Sequence, residues 1–228
     1  MGVTSVSTRP PRTERIVIPG PAGALEALLE IPAQHDAGHF GVVCHPHPLY
    51  GGTLENKVVH TLARAFQELR APTLRFNFRG VGGSAGEFDQ GRGEVEDALA
   101  VVAHGRQLFP GAALWLAGFS FGGAVAVTSA ARAHPERLVL VAPGVTLLNV
   151  GNAAPSCPWL IVQGDADDVI EPRYVLDWAA TVGSQVSAHP PEIRVLPGAG
   201  HFFHGRLHEL RDAVLSFLAR SAPPSTGN

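Results

Sequence analysis

From Ala112 to Ala117 the sequence runs apolar without a break, then meets Gly118-Phe119-Ser120-Phe121-Gly122 and continues as the small-residue segment Gly123 to Ala131. The apolar run fits a strand buried on both faces, and the Ala/Val-rich segment fits a helix packed close to it. Only a short G-x-S-x-G turn joins them. A turn so sharp puts the serine in a strained backbone conformation, and its neighbours two residues away must be nearly free of side chain. Such a turn lifts the Ser120 hydroxyl above the sheet edge and points the N-terminus of the next helix at it. A solvated serine in a tight turn is the alternative until partners for Ser120 are found.

The rest of the chain alternates in the same way. Arg15 to Ile18 and Gly23 to Ile31 read as an antiparallel hairpin around Pro19-Gly20-Pro21. Phe40–Cys44, Ala71–Phe78, Arg137–Ala142, Trp159–Gln163 and Glu192–Leu196 read as further strands. Helical spacing marks Asn56–Leu69, Gly91–Leu108, Pro172–Val182 and Phe203–Leu218. The order predicts an α/β fold, a mostly parallel sheet with an antiparallel N-terminal hairpin and helices on both faces. At 228 residues and 45% hydrophobic content, one domain over residues 14–220 is expected, with a flexible arm at 1–13 and a disordered tail at 221–228.

Ligands of such sheets bind beyond the carboxyl ends of the strands. A serine hydroxyl needs a base to take its proton, and the base needs an orienting group. In this architecture they follow in the order Ser, acid, His, each just after a strand. Gly164-Asp165-Ala166-Asp167-Asp168-Val169-Ile170 follows Trp159–Gln163, and Pro197-Gly198-Ala199-Gly200-His201 follows Glu192–Leu196. Ser120 and His201 are therefore the expected nucleophile and base. The acid is one of Asp165, Asp167 and Asp168.

Taken together, HPHPLYGG, FNFRGVGGSAGEFDQGRGE, GFSFGG, GDADDV and GAGH resemble the α/β-hydrolases, specifically the small lidless bacterial esterases and dienelactone-hydrolase-like proteins. The resemblance runs from Phe40 to Leu218 and implies the α/β-hydrolase fold. Its acid motif, G-x-x-D-x-x-V, selects Asp167, with an imperfect match: Val169 falls two residues after it and Ile170 stands at the motif's Val position. Asp165 sits in the strand's exit turn, and Asp168, adjacent to Asp167, should point elsewhere. The resemblance also implies two oxyanion donors. One is the Phe121 amide. The other comes from the loop after Phe40–Cys44, where Pro46 and Pro48 have no N–H. Matching His45-Pro46 to the family's His-Gly step picks His47; matching the second His-Pro picks Leu49. Tyr50 is the remaining amide. The stretch between Ala142 and Trp159 is too short for the helical lid of lipase-like members. An open substrate pocket is expected, bounded by Leu49, Tyr50, Phe119, Phe121, Leu147, Leu148 and Phe202.

Other patterns carry blander readings. His45-x-His47 lacks a nearby third ligand, so an ordering role in the loop is expected and no metal site. The Asp165–Asp168 run lacks the Gly and Glu of a calcium loop. Gly80 to Ala85 matches G-x-G-x-x-A, yet Gly86, Gly91 and Gly93 keep the chain irregular where a dinucleotide-binding helix would start. Arg79 is expected to brace the loop after its strand.

A net charge of −3 with no basic face argues against nucleic acid as a partner. No segment has membrane-spanning length, and Cys44 and Cys157 read as buried reduced thiols, which suits a cytoplasmic protein. The expected function is hydrolysis of small, short-acyl carboxylic esters or thioesters through an acyl-Ser120 intermediate, without a cofactor. Acyl transfer by the same residues, or binding without turnover on a hydrolase scaffold, are the alternatives. Sequence sets no oligomeric state.

Overall fold

The structure, a computed structural model, describes residues 10–35, 38–185 and 189–220. Eight strands form one sheet in the order β1-β2-β4-β3-β5-β6-β7-β8. The hairpin β1 (Arg12–Gly20) and β2 (Gly23–Ile31) pairs antiparallel, and β2 pairs antiparallel with β4 (Thr73–Phe76). The remaining strands, β3 (His39–Cys44), β5 (Ala113–Phe119), β6 (Arg137–Val141), β7 (Trp159–Gly164) and β8 (Glu192–Leu196), run parallel. This is the mostly parallel sheet with an antiparallel N-terminal hairpin expected from the sequence.

The central strands are continuous apolar runs because both faces are covered. Phe40, Val42, Leu116, Leu140 and Ile161 point into one core, filled by α2 (Arg92–Leu108), α3 (Phe121–Ala133) and α4 (Pro172–Gln185). Val43, Ala117, Val139 and Val162 point into the other, filled by α1 (Lys57–Glu68) and α5 (Leu207–Leu218). Asn56 caps α1, accepting from the Val58 amide at 2.9 Å. Cys44 and Cys157 are free and buried, and burial pushes the Cys157 thiol up to about 12. Among the described residues no helix is long and apolar enough to cross a membrane.

Several boundaries differ from expectation. Strand β1 begins at Arg12, paired with Ile31, so the ladder takes two residues assigned to the arm 1–13. Residues 1–9 and the tail 221–228 lie outside the described residues. Strand β4 is shorter than Ala71–Phe78: the Phe78 amide leaves the ladder to donate to His45 Nε2 at 3.0 Å. Helix α5 starts at Leu207 rather than Phe203, because Phe203 (φ 52°) and Gly205 (φ 72°) adopt left-handed backbone. No helix or strand lies between β6 and β7, so no lid crosses this edge of the sheet.

The parallel register places four loops on the same edge. Cys44 pairs with Gly118, Phe119 with Val141, and Gly164 with Leu196. The loops after β3, β5, β7 and β8 therefore converge at the carboxyl ends of the strands.

Candidate active site

Ser120 sits between β5 and α3 with φ 55° and ψ −122°, a strained conformation for a residue with a Cβ. The flanking glycines are steric requirements. A Cβ on Gly118 would stand 2.1 Å from Gly122 O, and one on Gly122 would stand 2.3 Å from His45 O. Both obstacles are backbone, so neither can yield. The turn is held by the Ser120 amide donating to Val141 O at 2.9 Å and the Gly144 amide donating to Ser120 O at 2.8 Å.

His201 Nε2 lies 3.0 Å from Ser120 Oγ, and His201 Nδ1 lies 2.9 Å from Asp167 Oδ2. All three residues are buried. Of the three aspartates in the loop, Asp167 alone reaches His201 among the described contacts. Its Oδ1 accepts the Val169 and Ile170 amides at 2.9 and 2.8 Å. Burial pushes the Asp167 carboxyl up, but the bonds from His201, Ile170 and Val169 outweigh it and hold it below the ordinary carboxylate range. Asp165 is exposed and accepts the Gly198 amide at 2.5 Å, which ties the two loops together. Asp168 is exposed. The loop after β8 fits tightly here, since a Cβ on Gly164 would stand 2.1 Å from Ala199 O.

In the loop after β3, His45 is fully buried. Its Nδ1 donates to Pro46 O at 2.6 Å and its Nε2 accepts from Phe78, so the ring orders the loop. Burial lowers its pKa to about 4, which keeps that pattern neutral. The Leu49 amide donates to His47 Nδ1 at 3.2 Å, and the Tyr50 amide to His47 O at 3.1 Å. The Leu49 N–H is thus engaged by the His47 side chain at the start of the 3-10 turn Pro48–Tyr50. The His47 amide has no acceptor among the described residues, and the Phe121 amide, first in α3, has none within its helix. The His47 ring packs on Phe121 at 4.9 Å, which brings the two segments together.

The expected pocket residues divide. Leu49, Tyr50, Leu147 and Phe202 are exposed, on the loops after β3, β6 and β8. Leu148 is half-buried over Gly91. Phe119 is corrected: it is fully buried, with its ring 4.9 Å from that of His201, because it shares a strand face with Trp115 and Ala117. It supports the imidazole and lines no pocket. Phe88 and Gln163 carried no sequence signal as site residues. Phe88 packs on His47 at 4.9 Å and Phe121 at 5.8 Å, and the Gln163 side chain donates to Asp167 Oδ2 at 3.0 Å. Arg79 braces as expected, in a bidentate pair with the buried Asp97 at 3.0 and 2.8 Å.

This geometry has counterparts among known proteins. A lidless α/β serine hydrolase from Xanthomonas campestris superposes with TM-score 0.85 at 38% identity, covering 94% of this chain and 99% of that one. The chain belongs to the lidless α/β serine hydrolases. An α/β serine hydrolase homologue from Coxiella burnetii is 44% identical with TM-score 0.83, over 89% of this chain and 96% of that one. An uncharacterised protein of Rickettsia prowazekii is 34% identical over 211 residues, covering 90% of this chain and 88% of that protein. The family profile described as serine aminopeptidase, S33 matches residues 49–156. That span holds the Ser120 turn of this lidless hydrolase and stops short of Asp167 and His201.

Proposed function

We propose that this lidless serine hydrolase cleaves small, short-acyl carboxylic esters or thioesters through an acyl-Ser120 intermediate. The observation that carries the reading is the continuous hydrogen-bonded line Ser120–His201–Asp167, ending on a serine strained at the elbow. His201 Nε2 takes the Ser120 proton as Oγ attacks the acyl carbon. The oxyanion is held by the Phe121 and His47 amides, with the α3 N-terminus behind them. His201 then gives its proton to the leaving alkoxide or thiolate. In the second half it takes a proton from water, the hydroxide attacks the acyl carbon, and Ser120 Oγ leaves with that proton.

The short-acyl preference rests on the exposure of the loops around Ser120. With no segment folded over Leu49, Tyr50, Leu147 and Phe202, a long acyl chain would stay in water and gain little from burial. Hydrolysis of p-nitrophenyl acetate and butyrate by wild type and Ser120→Ala tests the reading. A loss on the order of 10⁴-fold is expected. Equal rates for the two proteins contradict it. Product analysis with added alcohols separates hydrolysis from acyl transfer, and an aminoacyl p-nitroanilide in the same panel separates ester from amide cleavage.

A further inference from the structure

Gln163 is a fully buried glutamine in a strand that reads Trp-Leu-Ile-Val before it and ends on Gly164. A parallel strand covered on both faces has no packing use for a carboxamide. Its Nε2 lies 3.2 Å from Gly164 O and 3.0 Å from Asp167 Oδ2. Both neighbours are acceptors, so only the nitrogen end of the amide can face them. The opposite end, Oε1, is buried with no hydrogen-bond partner among the described residues. A dehydrated carbonyl without a donor is unfavourable, and such orphans persist where the rest of the group serves a purpose. Here the cost is accepted at one end of an amide whose other end touches the acid.

We propose that Gln163 is a positioning residue that acts through Asp167 on His201. Asp167 receives donors in two pairs. Val169 and Ile170 hold Oδ1, while Gln163 and His201 share Oδ2. The backbone pair fixes where the carboxylate sits. The Gln163 N–H fixes the direction from which Oδ2 meets the imidazole and draws charge from that oxygen. His201 therefore faces a partner strong enough to hold its Nδ1 proton but with part of its charge already engaged. The other titratable groups on the surrounding elements are differently occupied. Asp165 caps the Gly198 amide, His204 packs on Phe202, and His47 packs on Phe121.

Removing the donor leaves Oδ2 more negative toward His201. An imidazolium is then better stabilised, so His201 should lose its proton at higher pH. The proposal rests on the triad reading of the site, but one of its readouts does not need turnover. Gln163→Met, of similar length and without polar atoms, and Gln163→Leu, of different shape, are compared with wild type. His201 is titrated by NMR in the resting proteins, and kcat/KM is followed against pH with p-nitrophenyl acetate.

Both variants are expected to remain folded, since an apolar side chain of similar size also removes the orphaned carbonyl. The His201 midpoint and the acid limb of kcat/KM should rise together by about half a pH unit or more, with plateau kcat/KM within about tenfold of wild type. A folded Gln163→Met or Gln163→Leu with the His201 midpoint and acid limb unmoved overturns the proposal, whatever happens to its melting temperature. If wild type shows no Ser120-dependent hydrolysis, the functional reading fails instead, and the NMR midpoints alone still decide the Gln163 contact.

Discussion

At Asp167 one carboxylate accepts four hydrogen bonds while two neighbouring aspartates point elsewhere, and this difference sets a sharp expectation. Asp167→Asn should leave the fold intact but cut turnover by roughly 10³–10⁴-fold, because the amide favours the wrong His201 tautomer. Asp165→Asn and Asp168→Asn should each cost about tenfold or less. A large loss from either, with Asp167→Asn near wild type, contradicts the acid assignment. The same contacts fix a pH dependence of stability. The folded-state pKa is depressed, so the unfolded chain binds the proton more readily and the stabilisation is present above the ordinary carboxylate range. It is lost as pH falls below about 4 through the depressed value. The melting-temperature gap between wild type and Asp167→Asn should therefore narrow below that pH. The resemblance to the family's acid motif pointed to Asp167, the aspartate whose side chain meets His201. The engagement of the Leu49 amide was not legible in the sequence, because it depends on the His47 side chain reaching back to it.

Elements were legible wherever local pattern decides them, and less so where a tertiary bond does. Strand β5 announces itself as an unbroken apolar run, β3 by Phe40–Cys44 and β7 by Trp159–Val162 ahead of its glutamine, and α1 by its buried face of Val58, Leu62 and Phe66. The late start of α5 follows from left-handed backbone at Phe203, a non-glycine residue whose sequence reads as helix. The misplacement of Phe119 is a matter of parity: one residue before the nucleophile, it shares a face with Trp115 and Ala117 and lies against the imidazole. The loop from Asn77 to Gly91 depends on an element-scale tie, Arg79 to Asp97 on α2. Arg79→Met leaves the Asp97 carboxylate buried with its partner gone, and should cost about 3–5 kcal/mol in urea unfolding. Adding Asp97→Leu to Arg79→Met should recover much of that loss. If the double variant is as unstable as the single one, the tie acts by some other means than charge compensation.

For the whole molecule, the sheet register is what makes the site. Ser120 and His201 are 81 residues apart in sequence and Asp167 and His201 are 34 apart, yet each is carried to the same sheet edge by the strand before it. That convergence was readable from the order of strands and helices alone, since the carboxyl ends of parallel strands share an edge. The contribution of Gln163 was not, because a glutamine inside a strand gives no sign of which loop will fold over it. The claim that joins these scales is that Ser120 forms a covalent acyl intermediate. The direct measurement is the intact mass of the protein after reaction with a fluorophosphonate, read for wild type, Ser120→Ala and His201→Ala. The account predicts one adduct on wild type, located at Ser120, none on Ser120→Ala, and labelling slowed on the order of 10³-fold or more in His201→Ala. A wild type that stays unlabelled, or a Ser120→Ala that labels as fast, would contradict it.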